Sequence, residues 1–323
     1  MIKQRLNDNW EHYCGSLGGP WEVWRADKLK NHYNVPWQGV ELPHSYNGLD
    51  VMDPDGKYFQ GQGWYRTKLA VNNPYPNGRT LLHFEGAGQR TDVYVYTNKV
   101  DSHLGGYDEF TVDITEAAEQ ARGIERYNGL IPVAVACDNS RELETIPSDA
   151  SDFNLYGGIY RYLNLVYVPA VSLAQVHVET DTSALEAGQG TCRVKVRASL
   201  YNPGALGDSV SLTVRITDRE GKVIGESKVS CLPWQGEKEL AVYELSSPQL
   251  WTTNAPYLYG CSVTLAGTHV FLRDDRLVPE IAGEYGLADG RRAVGVQGFC
   301  HAGASGFADS LPQHEGHHRA RFH

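Results

Sequence analysis

The sequence predicts an all-β protein made of two consecutive β-sandwiches, and three observations carry that prediction. Short apolar or alternating segments rich in β-formers recur along the first 267 residues. Turn markers such as Asn77-Gly78, Gly105-Gly106 and Asn202-Pro203-Gly204 separate them. Only Thr115 to Arg122 reads as helical. Neighbouring parallel strands require crossover helices, so many strands with almost no helix imply antiparallel sheets.

In the first domain, assigned to residues 1–169, Thr80 to Phe84, Thr91 to Tyr96 and Leu130 to Ala136 are short apolar or alternating β segments. Gly86-Ala87-Gly88 adds a further turn between them, and the expected architecture is a β-sandwich or a jelly roll. The stretch from Ile146 to Val168 divides in two. Up to Gly158 it is polar and turn-rich, with aromatic rings at Phe153 and Tyr156. Gly157-Gly158 permits backbone angles that a Cβ resists. Ile159 to Val168 is nearly all β-formers and is expected to run as one strand away from that loop. An acidic and aromatic loop suits a polar ring such as a sugar, with Asp152 accepting hydrogen bonds from its hydroxyls and an aromatic ring covering its apolar face; the alternative is a surface loop whose Asp caps a turn.

The second domain, residues 170–267, shows a cleaner period of two. Gln175 to Thr180, Cys192-Val194-Val196-Ala198-Leu200 and Val210-Leu212-Val214-Ile216 each place apolar side chains on one face. Arg219-Glu220-Gly221 marks a turn, and Asp181 to Gly190 is a strand connection. The whole has the size of an immunoglobulin-like sandwich.

The tail from Thr268 to His323 contrasts with this. It holds six of the chain's twelve His and eight of its 34 Gly, yet no Lys, Asn or Trp, while the preceding 267 residues hold ten Lys and fifteen Asn. No strand or helix period persists there, and it is expected to be a divergent, disordered continuation. His314-Glu315-Gly316-His317-His318 fits the H-E-x-x-H zinc pattern. Pro312 and Gly316 oppose the helix that pattern needs, so adventitious metal binding is the expectation and no metal site is assigned.

Composition bounds the function. Hydrophobic content of 41% and charged content of 21% fit a globular protein, and 323 residues suffice for two cores. A formal net charge of −10 leaves no basic stripe for nucleic acid and disfavours anionic membranes. No signal-like apolar core opens the chain and no run is long enough to cross a bilayer, which leads to an expectation of cytoplasmic location. Six widely spaced Cys without a C-x-x-C pair are expected to be reduced and mostly buried. Nineteen Tyr and seven Trp, five of the latter within the first 64 residues, suit carbohydrate handling or sandwich cores alike.

Several motifs in order resemble glycoside hydrolase family 2, the β-galactosidase and β-glucuronidase family. They are Trp37-Gln38-Gly39-Val40-Glu41-Leu42-Pro43-His44, Gly63-Trp64-Tyr65-Arg66, Leu82-His83-Phe84-Glu85-Gly86, Asp92-Val93-Tyr94-Val95 and Gly105-Gly106-Tyr107. Phe110 to Thr115, Asp138-Asn139-Ser140 and Asp152 to Arg161 continue the set, and Pro248-Gln249-Leu250-Trp251 and Pro256-Tyr257-Leu258-Tyr259 resemble the close of the family's second domain. The resemblance covers about residues 5 to 267 and implies a sugar-binding jelly roll followed by an immunoglobulin-like domain.

It also implies a third domain, a (β/α)8 barrel carrying two catalytic glutamates for retaining hydrolysis. Such a barrel takes about 250 residues, whereas 56 follow Gly267 and the chain contains no Asn-Glu dipeptide. The expectation is therefore a chain truncated before its barrel, with no catalytic residue and no cofactor, inactive alone. The resemblance makes Asp152, Asn154 and Tyr156 the candidate substrate-binding residues for a β-glycoside. Tyr162 stands where many β-galactosidases place an Asp, which weakens a galactose assignment. Arg161 is read as a brace, Asp138 and Asn139 as organisers of the turn, and His44, His83 and His103 as hydrogen-bonded structural residues. Two alternatives are a stand-alone carbohydrate-binding protein and a scaffold complementing a separately encoded barrel. Surfaces meant for a barrel would remain exposed and apolar, so self-association is expected.

Overall fold

The computed structural model describes residues 1–25, 34–52, 57–146, 153–186, 188, 190–251, 254, 257–267, 285–288 and 291–298. It is an all-β protein that divides into two compact units, the first essentially Met1–Ser172 and the second built on Leu173–Leu200 and Ser209–Ala266. In the first unit the strands are β1 (Ile2–Arg5), β2 (Trp10–Cys14), β3 (Gln38–Val40), β4 (His44–Ser45), β5 (Gln62–Leu69) and β6 (Arg79–Phe84). They continue with β7 (Arg90–Val95), β8 (Asn98–Leu104), β9 (Phe110–Asp113), β10 (Ile131–Asp138), β11 (Gly158–Ile159) and β12 (Leu163–Val168).

These strands form a four-stranded sheet, β1-β12-β6-β9, and a six-stranded sheet, β3-β2-β5-β10-β7-β8, with β11 and β4 as a separate pair. Alternation places one face of each sheet in a shared core that includes Trp10, Tyr65, Leu82, Phe84, Val93, Val133, Leu163 and Leu165. In β6 the buried side chains are Thr80, Leu82 and Phe84, with those between them half-buried, as a period of two requires. Strand β10 departs from this pattern, being buried from Ile131 to Cys137. Its outer face, at Ala134 and Ala136, lies under Val23, Trp24, Trp64, Tyr94 and Tyr127. A strand covered on both faces reads as a continuous apolar run, which is how Ile131 to Ala136 appears in the sequence. Trp24 closes this layer by donating its indole N–H to the Tyr96 carbonyl at 2.8 Å.

The predicted helix is present as α2 (Thr115–Arg122), preceded by a single helical turn α1 (Pro20–Val23) that the sequence reading missed. Helix α2 packs Ala118 and Ala121 into the core. Asp113 Oδ1 accepts the Thr115 backbone N–H at 2.9 Å, satisfying one of the free donors at the helix start.

One expectation needs correction. Ile159 to Val168 is not a continuous strand: β11 pairs with β4, the chain steps across Tyr160, Arg161 and Tyr162, and β12 then pairs with β6. The step is fixed where the Arg161 N–H donates to the Gly86 carbonyl at 3.3 Å and the aliphatic part of Arg161 lies against Gly86. A run of β-formers cannot show that its two ends take different partners.

The second unit contains β13 (Ser172–Asp181), β14 (Thr191–Tyr201), β15 (Val210–Thr217), β16 (Val223–Cys231), β17 (Glu237–Ser246) and β18 (Tyr259–Gly267). A single turn, α3 (Ser183–Glu186), opens the predicted connection, and Asp181 Oδ1 accepts the Ser183 N–H at 3.0 Å. Cys192, Val194, Val196 and Ala198 on β14 and Val210, Leu212, Val214 and Ile216 on β15 are buried, as their period predicts. The sheets are β13-β14-β17 and a five-stranded sheet containing β16, β15 and β18.

That second sheet corrects the reading of the tail as free of regular structure. Two further strands, β19 (Tyr285–Ala288) and β20 (Arg291–Gly298), lie within residues 268–323, and β20 pairs antiparallel with β18 from Tyr259↔Gly298 to Thr264↔Ala293. The open edge of β18 supplies backbone partners that no side-chain period announces. His314 to His318 lies outside the described residues.

Candidate functional site

The site is the loop Phe153–Gly158 together with the segments that hold it. Two buried asparagines, from distant parts of the sequence, do most of the holding. Asn139, which ends the run after β10, has no solvent exposure. It donates its amide protons to the Phe59 carbonyl at 2.8 Å and the Leu155 carbonyl at 2.7 Å, and its Oδ1 accepts the Gly61 N–H at 2.9 Å. Asn47, two residues after β4, donates to the Leu155 carbonyl at 2.8 Å and accepts the Gly157 N–H at 2.8 Å. Loops have no ladder to satisfy their backbone, and these side chains supply the missing partners.

Tyr46 sets the spacing between the loop and the sheet. Its ring fills the space a Cβ would occupy at Gly63 and at Gly157, and its hydroxyl donates to the Gly61 carbonyl at 2.9 Å. Gly158 has φ +114°, and a Cβ there would fall 2.3 Å from the Tyr65 hydroxyl. Two glycines in succession are required because two tyrosine rings rise against the loop from below.

Beneath them His12, from β2, is stacked on Tyr46 with ring centroids 5.7 Å apart. His44 Nδ1 lies 2.9 Å from the Tyr65 hydroxyl, which also approaches the His44 carbonyl at 3.2 Å. The phenol has one proton and the carbonyl can only accept, so His44 carries its proton on Nδ1 and donates it to Tyr65. Burial and then the neighbouring His44 push the His12 imidazole down to about 4, and burial lowers His44. Burial raises the Cys137 thiol below the cluster to about 12, so it is an inert thiol.

Among the sequence-predicted site residues, Asp152 lies outside the described residues. Asn154 is bonded at both ends to Asn47: its Oδ1 accepts the Asn47 amide at 2.9 Å and its own amide donates to the Asn47 carbonyl at 3.1 Å. Its side chain shapes the loop in this structure. Tyr156 is 44% exposed and Phe153 74% exposed, so both rings are presented outward. Asn139 organises the turn as expected, and Asp138 accepts the Ser140 N–H at 2.8 Å. His83 meets Glu109 at 3.0 Å and His103 meets Asp108 at 3.3 Å, consistent with structural roles. Sequence reasoning missed Tyr46 and Asn47; the only signal was a polar, turn-rich Ser45-Tyr46-Asn47-Gly48 after a short β segment.

Three loops converge here, and each ends in exposed apolar side chains. Leu49 and Met52 stand on the first, whose Asp50 accepts the Phe59 N–H at 2.7 Å. Leu143, 91% exposed, and Ile146 stand on the second. Phe153 and Tyr156 stand on the third, which is tied to the second where Arg141 donates to the Phe153 carbonyl at 3.2 Å. Among the described residues no group of three or more His, Cys, Asp or Glu could hold a metal ion.

Comparison with known proteins shows what this chain is similar to. Residues 171–272 match the model of glycosyl hydrolases family 2. A putative β-glucuronidase of Formosa agariphila is 29% identical over 229 residues, covering 71% of this chain and 26% of the relative. A β-galactosidase of Thermoanaerobacter pseudethanolicus is 26% identical over 253 residues, covering 78% and 32%. The solved β-glucuronidase of Parabacteroides merdae, with glycerol in its active site, superposes with a TM-score of 0.79 at 42% identity, covering 93% of this chain and 36% of that one. The chain thus spans about a quarter to a third of the length of these relatives. In its sandwich fold, its ordered motifs and these likenesses the chain is similar to glycoside hydrolase family 2, whose model its residues 171–272 match.

Proposed function

We propose that this chain supplies the non-catalytic sandwich domains of a retaining β-glycosidase of the β-glucuronidase and β-galactosidase kind. In this reading the Phe153–Gly158 loop, with the preceding Asp152, forms part of the sugar subsite, and a (β/α)8 barrel supplies the two catalytic carboxylates. The observation that carries it is the convergence of three loops on Asn47 and Asn139, ending in exposed apolar side chains around a polar centre. Large apolar side chains left in water on adjoining loops favour a protein surface against them.

The test is an assay of the full chain alone. It is expected to hydrolyse neither p-nitrophenyl β-D-glucuronide nor the β-D-galactoside, and to bind glucuronate or galactose no tighter than millimolar, since a lone loop offers a few hydrogen bonds of about 0.5–1.5 kcal/mol each. Turnover by the chain alone would overturn the non-catalytic assignment. Micromolar binding would instead favour a stand-alone carbohydrate-binding protein, which the outward rings of Phe153 and Tyr156 would serve.

The same reading predicts self-association through the exposed loops. Sedimentation should show a concentration-dependent dimer or larger species, weakened at least tenfold by Leu143→Ser with Ile146→Ser, because burying one such side chain contributes about 1.5–3 kcal/mol. A wild-type chain that stays monomeric at high concentration would count against this.

A further inference from the structure

The base of the loop rests on two imidazoles whose ring centroids are 4.9 Å apart. His12 is 5% exposed, and its Nε2 has no hydrogen-bond partner among the described residues. A proton placed there would be a buried charge with nothing to receive it. The His12 ring supports Tyr46, and His44 is bonded to Tyr65; these are the two phenols that fit against Gly157 and Gly158. His44 also lies on β4, directly opposite Ile159 of β11.

We propose that His12 and His44 form an acid-sensitive latch beneath the loop: a proton taken up by the pair unpacks Tyr46 and Tyr65 from the two glycines and frees β11 from β4. The inference concerns the order of the loop and is independent of what the loop binds.

The surroundings of the pair make its charging costly. The rings that face the pair are Tyr46 and, from β5, Tyr65; Cys14 of β2 and Cys137 of β10 act on these two phenols and Asp138 of β10 on Tyr46, whereas His12 feels burial and His44, and His44 burial. Asp50 acts on Cys14. No ion pair among the described residues includes His12 or His44. Both imidazoles have folded-state pKa values lowered from 6.5, His12 to about 4. Each therefore stabilises the closed loop fully above the unperturbed pKa, and that contribution is lost as pH falls from there toward its lowered folded-state value, about 4 for His12.

Amide hydrogen exchange of the full chain at pH 7.5 and pH 5.0, corrected for intrinsic rates, tests the latch. Protection at Gly157, Gly158 and Ile159 is expected to fall about 30-fold, the change given by one imidazole with those two pKa values, while Leu82 and Leu165 keep theirs. His12→Phe preserves a ring against Tyr46 and takes up no proton, so it should shrink the loop's loss several-fold. An equal loss in loop and core, or an unchanged loss in His12→Phe, would overturn the proposal. Should that variant fold poorly, the ring-proton titration of His12 in the wild-type chain decides: a midpoint well below 6.5 supports the latch, and one at 6.5 or above refutes it.

Discussion

A chain carrying Asn139→Ala is expected to lose about 2–4 kcal/mol of unfolding free energy in its first unit, because three buried or half-buried backbone groups lose a partner at once and each costs about 1–3 kcal/mol when left unpaired. Those groups are the Phe59 carbonyl, the Leu155 carbonyl and the Gly61 N–H. Both carbonyls retain Asn47 as a donor, Leu155 at 2.8 Å and Phe59 at a longer 3.4 Å, which keeps the total below the sum of three full penalties. Asn139→Asp should be nearly as costly: it can still accept from Gly61, but it sets carboxylate oxygen against carbonyl oxygen. Asp138→Ala, which removes one contact to Ser140, should cost only about 1 kcal/mol. Urea unfolding followed by Trp fluorescence reads the first unit well, since five of the seven Trp lie there. A shift under 1 kcal/mol for Asn139→Ala would show that the loop has another way to satisfy its backbone.

Gly157→Ala is the second large effect expected. The new Cβ would stand 2.2 Å from the Tyr46 ring, well inside van der Waals contact, and Tyr46 is confined on its other side by Gly63. Overpacking of this kind typically costs about 1–3 kcal/mol and more where neither side can yield, so about 3 kcal/mol is expected. Because the clash is with one ring, Tyr46→Ala should absorb it: the double variant should be no less stable than Tyr46→Ala alone by more than about 0.5 kcal/mol. Gly158→Ala should behave differently. Its Cβ would meet the Tyr65 hydroxyl at 2.3 Å and the His44 carbonyl at 2.7 Å, and its φ of +114° disfavours any side chain, so removing Tyr46 cannot rescue it. Full additivity of Gly157→Ala with Tyr46→Ala would contradict the packing described.

The sequence made the strands of both units legible where one face was buried and the other was not. Leu82 and Phe84 on β6 and Val210 to Ile216 on β15 show their period because alternate positions meet water. The same logic fails at β10, where an aromatic layer covers the second face and the run could equally have belonged to a buried helix but for its length. It fails again between Ile159 and Leu163, because propensity says that a segment is extended and is silent on which strand it joins. The tail strands β19 and β20 were missed for a related reason: their place depends on the edge of β18. At the site, the Gly157-Gly158 pair and the role of Asn139 were visible as turn chemistry. Tyr46, Asn47 and His12 were not, since each acts on backbone or rings far away in sequence, and a single Asn after a short strand looks the same whether it faces water or a carbonyl.

The way Asn139 spans the loop also has a consequence for the order in which the chain folds. Gly61 immediately precedes β5, Asn139 immediately follows β10, and these two strands pair along Gln62↔Asp138. Leu155 lies beyond both, so the amide of Asn139 cannot reach its three partners until that pairing is complete. The loop is thus assembled on a sheet that already exists, and its contacts belong to the late, native side of the folding barrier. Substitutions at Asn139 should therefore leave the refolding rate nearly untouched and appear almost wholly as faster unfolding.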